Sequence, residues 1–164
     1  MGKKIDIAGL PTVAGSTYPA PFNEPCLSRE RKKLGDAANL TQFGVNLLRL
    51  PAGAWSSQRH WHTAADEFIY VLSGEITLVT DAGAEILRAG DAAGFKAGDT
   101  NGHCLQNRSS VEATALEIGT RLVIDAGHYP DIDLCSPAAG KPARYTRKDG
   151  TPYPETARQT KKAE

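Results

Sequence analysis

Residues 53–74 read GAWSSQRHWHTAADEFIYVLSG, and they place two histidines and one glutamate within eight positions. If residues 60–62 form a β-strand, His60 and His62 point to the same face of the strand while Trp61 points to the opposite face. The two imidazoles can then reach a single point in space. This is the geometry that chelation of a metal ion requires.

Glu67 follows a short connection and begins the alternating run Glu67, Ile69, Val71. The alternation of a strand turns its carboxylate to the same side as two apolar core residues. An unpaired anion in an apolar interior costs several kcal/mol, whereas direct coordination to a divalent cation offsets that cost. The pattern therefore predicts that His60, His62 and Glu67 bind a metal ion.

A second segment, residues 90–107, reads GDAAGFKAGDTNGHCLQN, and His103 is its one strong ligand candidate. A single histidine taken alone is more often a core or surface imidazole than a metal ligand. The presence of the first cluster favours the ligand role for His103. His128, the fourth histidine, lies outside both segments, and we expect it to serve in packing or to be exposed.

Between positions 44 and 125 the chain consists of short apolar, β-branched runs separated by Gly, Asp and Ser. Such runs predict strands, and Ser73-Gly74 and Asp81-Ala82-Gly83 predict hairpin turns. The predicted strands are 45–50, 68–72, 75–80, 85–88, 103–107 and 113–124. Short strands joined by tight turns indicate an all-β domain, a two-sheet sandwich or jelly roll.

Two flanking regions differ from this β domain, which we place at residues 42–125. Residues 1–41 are rich in proline, and we expect an arm that wraps the core and begins a short helix at 29–33. The basic cluster at 29–33 favours a solvated face over a nucleic-acid patch. In the extension, residues 126–164, only the part near Ile132 and Leu134 is expected to dock, and the polar end from position 144 to be flexible.

The two segments resemble the paired signature motifs of the cupin superfamily. The first has the family's glycine, H-x-H, glutamate and closing glycine in order, and in the second Gly90, Gly98, His103 and Asn107 match the motif. The resemblance implies a jelly-roll β-barrel and assigns His103 as the fourth metal ligand. Residues 94–103, with 117–120 and 129–134 downstream, are also similar to small bacterial single-domain cupins of unassigned function.

Three imidazoles and one carboxylate leave about two open positions on a six-coordinate ion, which suits Fe, Mn, Ni or Co. Zinc would keep about one open position in a tighter shell. We expect one divalent ion per chain, in a pocket lined by inward residues of the strands: Ile69, Val71, Leu78 and Phe95.

The predicted function is that of a metal-dependent enzyme acting on a small oxygen-rich metabolite. From the family resemblance, dioxygenase-like chemistry is favoured, with isomerase or lyase chemistry also open. The alternative is a cupin that binds or senses a small molecule without turnover. No general base is evident beyond the ligands, because Asp66 and Tyr70 alternate to the face opposite Glu67.

Composition restricts the partners. Nineteen basic residues balance nineteen acidic ones, so no overall field draws the chain to nucleic acid or to an anionic membrane. The sequence has no apolar run long enough to cross a bilayer and no signal-like start, so we expect a cytoplasmic protein. The outward apolar residues Phe68, Tyr70 and Leu72 need cover, which predicts a homodimer.

Overall fold

The structure, a computed structural model, describes residues 2, 4–138, 144–155 and 159–161 of the 164-residue chain. Those ranges contain thirteen strands: β1 (Thr12–Ala14), β2 (Glu30–Lys33), β3 (Phe43–Leu50), β4 (Trp61–His62), β5 (Glu67–Ser73), β6 (Glu75–Thr80), β7 (Gly83–Arg88), β8 (Ala92–Phe95), β9 (Cys104–Gln106), β10 (Ala113–Thr120), β11 (Gly127–Tyr129), β12 (Leu134–Ser136) and β13 (Gln159–Lys161). One α-helix, α1 (Leu34–Ala37), and one 3₁₀ turn, Glu24–Cys26, complete the described elements. The predicted all-β class is confirmed.

The strands form three antiparallel sheets. The largest has seven strands in the order β13-β1-β2-β3-β10-β5-β8, and the other two have three strands each, β7-β6-β9 and β12-β11-β4. The seven-stranded sheet and the β7-β6-β9 sheet share one apolar core, which includes Leu48, Leu50, Ile69, Val71, Ile76, Leu78, Leu87 and Leu105. This is the sandwich arrangement expected of a jelly roll.

Strand β5 shows how the sequence pattern sets the core. Ile69 and Val71 are buried, whereas Phe68, Tyr70 and Leu72 are 40–43% exposed on the opposite face. The hairpin from β5 to β6 turns at Gly74, whose φ is +73°. A Cβ at this position would lie 2.7 Å from the carbonyl oxygen of Glu112, so only glycine fits the turn.

Two local predictions were wrong. Residues 29–33 do not begin a helix, because the backbone of Glu30–Lys33 pairs with β3 and sheet pairing overrides local helix propensity. The strand predicted at 113–124 ends at Thr120, where pairing with β3 stops. Residues 122–124 lie instead in an exposed turn closed by the Asp125 amide, which donates to the Leu122 carbonyl at 3.1 Å.

The arm and the extension pack on one another. Tyr18 and Cys26 from the arm and Tyr129 and Leu134 from the extension form a second apolar cluster. The expectation that only the part near Ile132 and Leu134 docks was wrong, since the aromatic rings of Tyr145 and Tyr153 also pack against this cluster.

The region expected to be flexible, from position 144 onward, falls partly outside the described residues. Within the described part, Thr146 forms a β-bridge with Cys135, and Gln159–Lys161 pairs with β1 as strand β13. No helix in the described ranges is long and apolar enough to span a membrane.

Candidate metal centre

The sheet backbone brings the two histidine-bearing segments together. His60 and His103 form an antiparallel bridge, in which the His60 amide donates to the His103 carbonyl at 3.0 Å and the His103 amide donates to the His60 carbonyl at 2.8 Å. His62 ends β4, and Glu67 is the first residue of β5. All four predicted ligands therefore sit where strands begin or end.

The side chains of these residues converge on Glu67. Its Oε2 lies 3.7 Å from His60 Nε2, 3.5 Å from His62 Nε2 and 2.9 Å from His103 Nε2. The candidate ligand atoms of His60, His62 and Glu67 all lie within 4.8 Å of one another. The structure thus brings the four residues together, three imidazole nitrogens around one carboxylate oxygen.

Glu67 Oε2 is a buried acceptor without a hydrogen-bond partner. The contact with His103 Nε2, at 2.9 Å, is close but does not satisfy the hydrogen-bonding capacity of this oxygen. Buried polar atoms are nearly always paired, so an orphaned carboxylate oxygen facing three imidazoles calls for another group. Nitrogen and oxygen donors of this kind are ordinary ligands of first-row divalent metals, so the residues present fit such an ion.

Two histidines are held in the tautomer that metal binding needs. His60 Nδ1 donates to the carbonyl oxygen of Gln58 at 2.9 Å, and His62 Nδ1 donates to Asp125 Oδ2 at 2.5 Å. With the proton on Nδ1, the lone pair of each Nε2 is free on the side that faces Glu67.

Asp125 is a site residue that the sequence analysis missed. Besides His62, its carboxylate accepts hydrogen bonds from the backbone amides of Ala64 at 2.8 Å and Ala65 at 3.0 Å. Asp125 approaches His62 because β4 pairs with β11, which sets His62 opposite Gly127. The sequence carried only a weak signal for this role, since Asp125 is simply an acidic residue at the end of the predicted β domain.

The electrostatics of the cluster favour neutral imidazole and ionised carboxylate. Burial lowers the pKa of His60 to about 4 despite the opposing charge of Glu67. Burial raises the pKa of Glu67, but the contact with His103 and the nearby His60 and His62 outweigh it and lower that pKa to about 2. These are the protonation states in which both groups can bind a cation.

Aromatic rings hold two of the imidazoles in place. Phe95 stacks on His103 with ring centroids 3.6 Å apart, and Tyr129 stacks on His60 at 5.7 Å. His128 lies outside the cluster, as expected, and its ring stacks on Trp61 at 4.4 Å.

Two cavities adjoin the candidate ligands. The larger, of about 390 Å³, reaches His60, Glu67 and His103, and the smaller, of about 180 Å³, reaches His62, Glu67 and His103. Of the predicted lining residues, Ile69 and Phe95 line the larger cavity and Leu78 and Phe95 the smaller one. Val71 is fully buried in the core and lines neither of these two.

The larger cavity has a cationic lining that the sequence analysis did not anticipate. Four basic side chains face it, Arg29, Arg31, Lys33 and Arg121, with two carboxylates besides Glu67, those of Asp36 and Glu117. The solvated face predicted for residues 29–33 was therefore wrong for Arg29, which is 3% exposed. It was wrong for Arg31 as well, whose Nε and Nη2 donate to Glu117 at 2.5 and 2.6 Å.

The match to a known protein family falls within the predicted β domain. Residues 46–119 match the cupin-domain family model. The crystal structure of a sugar phosphate isomerase from a cupin superfamily, from Silicibacter pomeroyi, is 42% identical, with a TM-score of 0.84 over 93% of this chain and 97% of that one. The chain belongs to the cupin superfamily. The resemblance inferred from the two motifs is therefore confirmed.

Other solved structures are also similar to this cupin. A protein from Acidithiobacillus ferrooxidans, provisionally named as a sugar phosphate isomerase, is 26% identical, with a TM-score of 0.73 over 85% of this chain and 88% of that one. The polyketide cyclase RemF from Streptomyces resistomycificus is 19% identical, with a TM-score of 0.58 over 73% of this chain and 80% of that one, and shares the fold alone. A comparison with curated proteins gave no match.

Proposed function

We propose that this cupin is a metal-dependent isomerase of small phosphorylated sugars, with one divalent ion held by His60, His62, Glu67 and His103. The observation that carries the proposal is the cavity of about 390 Å³, which joins three of these residues to a wall with four basic side chains and two further carboxylates. A metal ion can coordinate the oxygens of a sugar, and basic side chains can bind a phosphate group.

The similar structures favour isomerisation over the oxidative cleavage that the sequence alone favoured. The Silicibacter pomeroyi protein, 42% identical, is named as a sugar phosphate isomerase, and the 26% identical protein carries that name provisionally. The cationic lining agrees with a phosphorylated substrate, whereas a neutral catechol-like substrate would not need it.

A bound divalent ion supplies Lewis-acid polarisation of the substrate oxygens. The remaining chemistry is proton transfer, and for the transfer between carbons the chain offers Glu117. On β10, Glu117 lies two residues before Gly119, which is opposite Glu67, and it therefore points to the same side of the sheet. Two donors from Arg31 fix the orientation of its carboxylate at the cavity wall.

In an aldose–ketose interconversion, a base takes the proton from the hydroxyl-bearing carbon and returns it to the neighbouring carbonyl carbon. A second proton passes from the hydroxyl oxygen to the former carbonyl oxygen. The electrons stay within the substrate, so the reaction needs no oxidant. We assign the carbon-to-carbon proton transfer to Glu117.

The test is proton NMR in D₂O, with protein loaded in turn with Mn, Fe, Co, Ni or Zn and supplied with pentose and hexose phosphates. We expect interconversion with deuterium uptake beside the carbonyl. Glu117→Gln should lower turnover by roughly 10²- to 10⁴-fold, because general acid–base groups contribute about that much. The matched control is Glu112→Gln, since Glu112 is likewise paired with an arginine, Arg49, but does not line the cavity.

Two other results would each refute the isomerase assignment, and a third would refute the role of Glu117. Oxygen consumption with cleavage of the substrate would indicate a dioxygenase. Saturable binding of the sugar phosphates without turnover would indicate a sensing cupin. Equal losses in the Glu117→Gln and Glu112→Gln proteins would remove Glu117 from the reaction.

A further inference from the structure

Arg29 is a buried cation without a counterion among the described residues. It immediately precedes β2, is 3% exposed and lines the cavity of about 390 Å³. Its Nε donates to the Gly15 carbonyl at 3.0 Å. Within the described part of the chain, neither Nη nitrogen has a hydrogen-bond partner and no carboxylate lies within 4.0 Å of the guanidinium.

The other cations of the cavity wall differ from Arg29 in this respect. Arg31 is held by Glu117 through two hydrogen bonds, and Asp36 pairs with both Arg121 and Lys33. The carboxylates of the wall are therefore already engaged by other side chains. Burial lowers the pKa of Arg29 to about 10, with a further contribution from the charge of Arg31. Arg29 thus remains protonated at neutral pH.

A buried guanidinium without a directly paired counterion is costly, and an anion from outside can complete the pair. The contacts of Arg29 hold its guanidinium in a fixed orientation in which it can bind an anion. Its Nε is anchored to Gly15, and its Cζ lies 5.8 Å from the centre of the Tyr18 ring. The planar group is thereby oriented, and its two Nη nitrogens remain available as donors.

The geometry points to Arg29 as the residue that binds the phosphate group of the substrate, at the end of the cavity remote from the reacting carbons. This inference rests on the proposed function. Arg29 and Glu67 line the same cavity, so a small sugar phosphate can extend from the arginine to the candidate ligands. A guanidinium with two free Nη nitrogens matches the oxygens of a phosphate monoester. Binding energy from this non-reacting group would hold the sugar in register with the reactive end.

The first test is isothermal titration of the metal-loaded protein with inorganic phosphate, which requires no turnover. We expect Arg29→Gln to weaken phosphate binding at least tenfold and Arg29→Lys to give an intermediate affinity. Arg88→Gln is the matched control, because Arg88 is exposed, pairs with Glu75 and does not line the cavity. It should bind phosphate as the unmodified protein does.

Because substitution of a buried arginine can impair folding, a second test uses the unmodified protein. Crystals soaked in tungstate, a phosphate analogue with a strong anomalous signal, should show a peak beside the Nη nitrogens of Arg29. A peak elsewhere, or phosphate affinity that is unchanged in a folded Arg29→Gln protein, overturns the assignment. Equal weakening in Arg88→Gln would also overturn it, since the effect would then be one of general charge.

The outcomes separate this inference from the proposed function. If phosphate binds at Arg29 but no sugar phosphate is isomerised, the anion site stands and the isomerase assignment fails. If sugar phosphates are isomerised and Arg29→Gln leaves both phosphate affinity and KM unchanged, the isomerase assignment stands and the role of Arg29 fails.

Discussion

Replacing Asp125 with asparagine should weaken metal binding without removing any ligand. In Asp125→Asn, Oδ1 can still accept from the amides of Ala64 and Ala65, so the local backbone keeps its hydrogen bonds. The amide nitrogen would then face His62 Nδ1, which at present donates to the carboxylate at 2.5 Å. An amide NH₂ only donates, so the imidazole proton would move to Nε2 and block the coordinating lone pair.

The magnitude follows from the bond that is lost. A hydrogen bond to a charged group contributes about 1.5–3 kcal/mol, and about 1.4 kcal/mol corresponds to a factor of ten in affinity. The dissociation constant for the metal should therefore rise by roughly 10- to 100-fold, the range also typical of partners that orient metal ligands. Competition with a fluorescent chelator measures this constant, and ¹⁵N NMR of His62 reports the tautomer.

Asp149→Asn is the matched control, because Asp149 caps the Thr151 amide on the exposed surface, far in sequence from the ligands. It should bind metal as the unmodified protein does. If Asp125→Asn retained full metal affinity and the Nδ1–H tautomer of His62, the role of Asp125 as a positioning residue would be refuted.

The remaining predictions concern the ligands, the core and the subunit interface. His60→Ala or His103→Ala should sharply reduce bound metal and His128→Ala should not, and equal metal content by mass spectrometry in all three would contradict the ligand assignment. Leu48→Ala should lower the free energy of unfolding by about 2–5 kcal/mol, since Leu48 is fully buried in the core; urea denaturation measures this loss, and one below about 1 kcal/mol would count against tight packing there. Tyr70→Glu should convert the expected homodimer into monomers in light scattering at micromolar concentration, and an unmodified protein that is already monomeric would refute the dimer.

Local features of the chain were predictable from the sequence. The spacing of His60, His62 and Glu67 was informative because strand alternation alone relates their directions. The alternation of Ile69 and Val71 with exposed neighbours was readable for the same reason. These features depend on a few consecutive residues, so they do not require knowledge of which strands pair.

Features that depend on pairing between distant strands were not predictable. Arg31 enters the cavity because β2 pairs with β3, which sets it opposite Leu48, and the basic run at 29–33 carries no sign of this pairing. Glu117 and Asp125 reach the site through the registers of β10 with β5 and of β11 with β4. A single sequence does not reveal such registers, so the positions of these three side chains at the candidate site became evident only in the folded chain.

The paired hydrogen bonds between His60 and His103 have a consequence for metal selectivity. Because the sheet sets the separation of these two backbones, little chain entropy remains to be lost when an ion arrives. If an ion binds at this candidate site, a rigid template of this kind would discriminate among ions by radius and preferred coordination geometry. We therefore expect the fixed backbone separation in the barrel to limit which ions fit the site.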